Sequence, residues 1–170
     1  MFIEILIGLA VVVVAVVVIA ALQPADFKIT RSETISAPPA AVFAEVSDFR
    51  NWSKWSPYEK LDPAMKRTFG PQTSGVGASY VWAGNSKVGE GSMKIVESRP
   101  NERLLIALVF IKPFAATNQA EFTFTTQGNQ TVVTWSMTGR NNLFFRVVGL
   151  FMNMDKLVGG QFAEGLANLN

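Results

Sequence analysis

The stretch from Asn141 to Asn170 constrains this chain more than any other feature. Phe144, Val147, Phe151, Met154, Val158, Phe162, Leu166 and Leu169 follow one another at steps of three or four. That spacing places side chains in one stripe along a helix. Arg146, Asn153, Glu164 and Asn168 fall on the other side. Asn141 and Asn142 stand ahead of the pattern, where a short amide accepts from the unpaired N–H groups of a first helical turn. The pattern predicts one long amphipathic helix whose apolar stripe is too long to leave in water. Something upstream must supply the surface beneath it, and the upstream region reads as strands.

The other end of the chain is apolar without being amphipathic. Phe2 to Leu22 is an almost unbroken apolar run in which Glu4 is the only charge. At about 1.5 Å per residue it reaches about 30 Å, the thickness of a bilayer's hydrocarbon core. The competing reading is a cleaved signal peptide. Against that, no Lys or Arg precedes the run, and no clean small-x-small cleavage site follows it. Residues 1–23 are therefore expected to be a transmembrane anchor, 24–27 a short linker and 28–170 one folded domain. Lys28 and Arg31 flank the C-terminal end of the run, so the positive-inside rule leans towards a cytoplasmic domain on a single-pass membrane protein.

A chain of 170 residues holds one domain plus such an accessory segment. Charged residues make up 16% of it, the formal net charge is +2, and no cluster of Lys and Arg occurs. The electrostatic footprint of a nucleic-acid binder is missing. The sequence has no Cys and no His, which excludes disulfides, the usual zinc sites and His-based triads. No metal and no cofactor is expected.

Between the two apolar ends, strand signals alternate with turns. Phe27 to Ser36 alternates Ile29, Arg31, Glu33 and Ile35 against its other residues, and Pro38-Pro39 then opens a short helix with Val42, Phe43 and Val46 as its apolar face. Asn51 to Tyr58 is an aromatic turn without clear period. Further strands are expected at Met65 to Phe69, Gly77 to Ala83, Gly89 to Glu97 and Leu104 to Ile111. Asn118 to Thr126 alternates Ala120, Phe122 and Phe124 against Gln119, Glu121 and Thr123; Gly128-Asn129 turns the chain, and Val133, Trp135 and Met137 mark the last strand. These lengths are those of an antiparallel meander with one wet face. The expected class is α+β, a curved antiparallel sheet around a long C-terminal helix and preceded by one transmembrane helix.

This layout resembles the START/Bet v 1-like (SRPBCC) superfamily, and within it the bacterial group labelled polyketide cyclase/dehydrase-like. The resemblance is carried by Ala37-Pro38-Pro39-Ala40-Ala41-Val42-Phe43, entering the first helix, and by Trp52-Ser53-Lys54-Trp55-Ser56-Pro57 after it. It covers Phe27 to Leu169. It implies a helix-grip fold, often with an apolar cavity between sheet and C-terminal helix. Some members bind lipids or hormones, a few are cyclases, and related domains activate chaperones. For a chain with an anchor, it also implies the bacterial inner membrane.

The residues expected to line such a cavity are Tyr80, Trp82, Met93, Ile95, Phe110, Phe122, Phe124, Trp135, Phe151 and Met154, because rigid rings leave gaps and Met adapts to fill them. The plainer alternative for any one of these is solid core. Trp52, Trp55 and Tyr58 are candidates for a lid. For acid–base chemistry the candidates are Glu97, inward if Met93 and Ile95 are, and Asp155, beside the apolar stripe. Glu33, Glu90 and Glu121 are the remaining acidic candidates. With no paired carboxylates in the sequence, the expected partner is a hydrophobic small molecule or lipid, together with the membrane. A cyclase/dehydratase-type enzyme and a chaperone-activator-like interaction module are the alternatives.

Overall fold

Strand alternation decides which face of the sheet is dry. In β6 (Ala116–Gln127), Ala120, Phe122 and Phe124 are buried while Gln119 is exposed. β6 pairs with β7 (Gln130–Arg140) through a hairpin in which Gln127 faces Gln130 across Gly128-Asn129. The register sets Phe122 beside Trp135 and Ala120 beside Met137, so the apolar sets of both strands share one face. The remaining strands are β1 (Asp26–Ile35), β2 (Lys66–Phe69), β3 (Ser79–Ala83), β4 (Glu90–Arg99) and β5 (Arg103–Lys112). All pair antiparallel in the order β1-β7-β6-β5-β4-β3-β2. This computed structural model describes residues 2–170.

Helices cover the dry face. α2 (Pro39–Ser47) opens on Pro39 and buries Val42 and Val46. The aromatic turn expected after it is instead helical in short pieces: a 3₁₀ turn at Phe49–Asn51, α3 (Trp52–Trp55) and α4 (Pro57–Leu61). Such pieces are too brief for a period to show in sequence. They drive Phe49, Trp52 and Trp55 into the core. The Trp52 and Trp55 indole N–H groups donate to the Val46 and Glu45 carbonyls, at 2.8 and 3.3 Å.

The C-terminal stripe is split between two helices, α5 (Leu143–Phe151) and α6 (Met154–Asn168). Met152 and Asn153 are extended, and each helix has its own asparagine cap. The Asn142 side chain accepts from the Phe145 N–H, and that of Asn153 accepts from the Lys156 N–H. Only α6 grips the sheet. Its Phe162 and Leu166 are buried, and Phe162 stacks on Trp135 with ring centroids 4.1 Å apart and planes within 10°. Gly165 permits that approach, since a Cβ there would lie 2.9 Å from both Pro57 and Trp135. α5 instead packs against α1 (Phe2–Leu22), the N-terminal apolar helix. Phe144 and Phe151, expected on the sheet, are exposed for that reason.

α1 is long and apolar enough to cross a membrane by length and composition. Ala20 is its buried residue and Val16, one turn earlier, is half-buried; the rest of its described length is exposed.

Candidate functional site

The concave side of the sheet is filled by rings. Trp135 stacks on Phe122 at 4.9 Å as well as on Phe162, and Trp52 and Trp55 meet both Phe122 and Trp135 edge-on at 5.7–6.3 Å. Of the residues expected to line a cavity, Tyr80, Trp82, Met93, Ile95, Phe122, Phe124 and Trp135 are all buried in this one cluster, with Phe110 half-buried at its edge against Trp82. Trp52 and Trp55, considered as a lid, lie inside the same cluster, and Tyr58 packs against it half-buried. One polar atom in the cluster has no acceptor among the described residues, the Trp135 indole N–H.

Phe151 and Met154 stand apart from this cluster. They border a hollow of about 430 Å³ where α5 meets α6, together with Asn141, Phe145, Gly149, Leu150, Met152 and Asn153. The hollow lies beside the start of the domain. The Asn141 N–H donates to the Ala25 carbonyl at 2.8 Å. Arg146, on α5, donates from Nη1 to the Ala21 and Gln23 carbonyls at 3.0 and 3.3 Å. Those are carbonyls at the end of α1, which a helix terminus leaves without intrahelical partners. Sequence reasoning singled out Phe151 and Met154 but missed Phe145 and Leu150. The available signal was Asn153, an N-cap residue type inside the supposed helix.

A second hollow, of about 400 Å³, opens between the aromatic helices and β2, bordered by Phe49, Arg50, Ser53, Glu59, Pro63, Arg67 and Phe69. Its polar centre is an ion pair between Glu59 and Arg67, with the Tyr80 hydroxyl 3.3 Å from Glu59 Oε1. Burial and then the Glu59 charge push the Tyr80 hydroxyl well above the usual phenol range, and burial does the same to Tyr58. Both phenols stay protonated donors near neutrality. The sequence offered no sign of this trio, whose members come from a helix and two strands.

The two acids weighed for catalysis are both in ion pairs. Glu97 is not inward. A β-bulge at Val96 sets Ile95 opposite Ile106 but Glu97 opposite Leu105, which turns Glu97 to the outer face. There it pairs with Arg99 and Arg103, and Arg103 also meets Glu121. Glu90 pairs with Lys112 across β4 and β5, and Glu33 is exposed on the edge strand β1. Asp155, in the first turn of α6, accepts from Arg31 Nη2 at 2.9 Å, and the same nitrogen reaches the Asp155 carbonyl at 2.9 Å. That guanidinium holds the Asp155 carboxyl below its ordinary range. Among the described residues, no group of three or more acidic side chains could hold a metal ion.

Residues 26–170 match the family model described as "Polyketide cyclase / dehydrase and lipid transport". Among solved structures, a protein from Thermobifida fusca is 22% identical with a TM-score of 0.63, over 84% of this chain and 89% of that one. A Mesorhizobium loti protein is 20% identical with a TM-score of 0.60, over 84% and 96%. The Aha1 dimer of Colwellia psychrerythraea is 16% identical with a TM-score of 0.60, over 84% and 92%. At such identities these likenesses establish a Bet v 1-like, helix-grip fold. No curated protein matches the chain.

Proposed function

The chain belongs to the polyketide cyclase/dehydrase and lipid transport family, and from that premise we propose that it is a membrane-tethered binding domain for a hydrophobic small molecule or lipid. The observation that carries the reading is the hollow between α5 and α6, which opens beside the end of α1. Its volume of about 430 Å³ falls within the range of small-molecule sites, and Phe145, Leu150, Phe151, Met152 and Met154 border it beside the polar Asn141 and Asn153. Phe145 and Leu150 form its half-buried wall, with Phe151, Met152 and Met154 at the rim.

The anchor supplies the reason for such an arrangement. A sparingly soluble ligand concentrates in the bilayer, and a domain joined to α1 by a few residues samples it at high effective concentration. The N-terminal apolar helix serves as the anchor and the chain from β1 onward as the binding domain, with only a few residues between them, on the cytoplasmic side of a bacterial inner membrane. Binding is favoured over a cyclase or dehydratase reaction because Glu97 and Asp155 are both committed to arginines.

Filling the hollow tests this. Gly149 borders it, and a Cβ built there meets nothing within 4 Å. Gly149→Leu therefore adds bulk at the border of the hollow from a Cβ that meets no neighbour, and it removes a glycine from a helix interior. Titration of the full chain in lipid nanodiscs with an apolar fluorescent probe is expected to saturate near one per chain above the empty-nanodisc background, with the variant binding at least about tenfold more weakly. Equal binding by wild type and a folded Gly149→Leu chain would place any ligand elsewhere.

A further inference from the structure

We infer that α5 is a second membrane contact, a short interfacial helix whose open apolar side lies in the headgroup–acyl boundary beside α1. The inference rests on the reading of α1 as a transmembrane anchor and adds a partner surface to it. α1 has 21 residues, so at about 1.5 Å per residue it spans about 31 Å and fills the bilayer core with little to spare. The less exposed positions of α1 are Val16 and Ala20, and α5 is the element packed on it. Val16 lies six residues before Leu22, about 9 Å inside that end. An element resting on Val16 and Ala20 therefore sits at the depth that interfacial helices occupy.

The chemistry of α5 fits that depth. Its sequence, LFFRVVGLF, has one charged residue and no acid. The charge, Arg146, turns back to the carbonyls at the end of α1. Phe144 and Phe151, two turns apart and so on one side of the helix, are 50% and 74% exposed. Phe114, from the β5–β6 loop and itself exposed, joins them, its ring 5.0 Å from that of Phe144 and 5.6 Å from that of Phe145. Large rings from two separate elements thus gather beside the end of α1. Continuity with the helix that enters the bilayer selects lipid over a protein as the occupant. The contact would also hold the α5–α6 hollow at the membrane surface.

Depth measurements on the full chain in phospholipid vesicles test this. The sequence has no Cys, so single substitutions Phe144→Cys, Phe151→Cys, Val12→Cys and Gln127→Cys each accept one nitroxide label. Collision with oxygen, which favours lipid, is compared with collision with a water-soluble nickel chelate. Labels at 144 and 151 are expected to favour oxygen several-fold more than the label at 127, which marks the far hairpin. The label at 12 should be deepest. A deep label at 12 with water-exposed labels at 144 and 151 overturns the interfacial helix and leaves the anchor standing. A water-exposed label at 12 overturns the anchor and this inference with it. Spin–spin broadening at 144 or 151 without oxygen preference would assign the surface to a second copy of the chain and likewise overturn the lipid contact.

Discussion

Phe162→Ala is the perturbation that separates the helix gripping the sheet from the helix that does not. Phe162 is 2% exposed and stacks on Trp135, which in turn stacks on Phe122. Truncating a buried Phe typically costs about 3–5 kcal/mol, and the lost aromatic pair places this site in the upper half of that range. For a domain of this size each kcal/mol lowers Tm by roughly 2–4 °C, so a fall of about 8–20 °C is expected. The assay is intrinsic fluorescence during thermal unfolding of the full chain in detergent. All four tryptophans lie between Trp52 and Trp135, so the signal comes from the sheet domain and not from α1. Phe151→Ala is the matched control, the same truncation at a position 74% exposed on α5. It is expected to stay within about 0.5 kcal/mol of wild type. Equal losses for the two variants would refute the argument that α6 alone completes the core.

Asp48 gives the clearest pH dependence. Hydrogen bonds from Arg50, whose guanidinium and backbone N–H both donate to it, lower its carboxyl from the usual value to about 2. A depressed folded value means stabilisation that is complete above about pH 4 and lost as pH falls from 4 towards 2. Because the Arg50 side chain is exposed and the pair is screened by solvent, this amounts to on the order of 1 kcal/mol, and Asp48→Asn should lack that acid limb in melts at pH 7 and pH 2.5. Glu97→Gln should change stability by less than about 1 kcal/mol, since its arginine partners lie with it on the outer face of the sheet, and Asp155→Asn should leave the melt close to that of wild type. Both should leave apolar-probe affinity within about twofold, and a larger loss would point to charge in recognition. Residues 24–170 are expected to melt cooperatively without α1, because the buried cluster contains no residue of that helix.

The sheet was legible where one strand face is dry and its neighbour wet. Ala120, Phe122 and Phe124 alternate with polar residues, and the hairpin residues Gly128-Asn129 fix their register. Glu97 was not legible. A bulge at Val96 arises from how β4 meets β5, and no residue in Ile95-Val96-Glu97 marks it. The helix break failed for a different reason. The apolar spacing runs unbroken through Phe151 and Met154, so periodicity carried the reading past Met152 and Asn153. The Asn153 cap was counted as one more polar residue on the far side. Because that break creates the α5–α6 hollow, most of the candidate site was hidden with it. Phe151 and Met154 were found through the stripe, while Phe145, Gly149 and Leu150 become neighbours only after the chain turns.

The most direct test of the central claim is native mass spectrometry of the full chain, extracted from host membranes in a gentle detergent and stripped of it in the instrument. The account predicts a population carrying one apolar molecule of defined mass per chain, absent from Gly149→Leu prepared alongside. A wild-type chain that stays folded and carries no apolar molecule, or carries the same one after the hollow is filled, would contradict it.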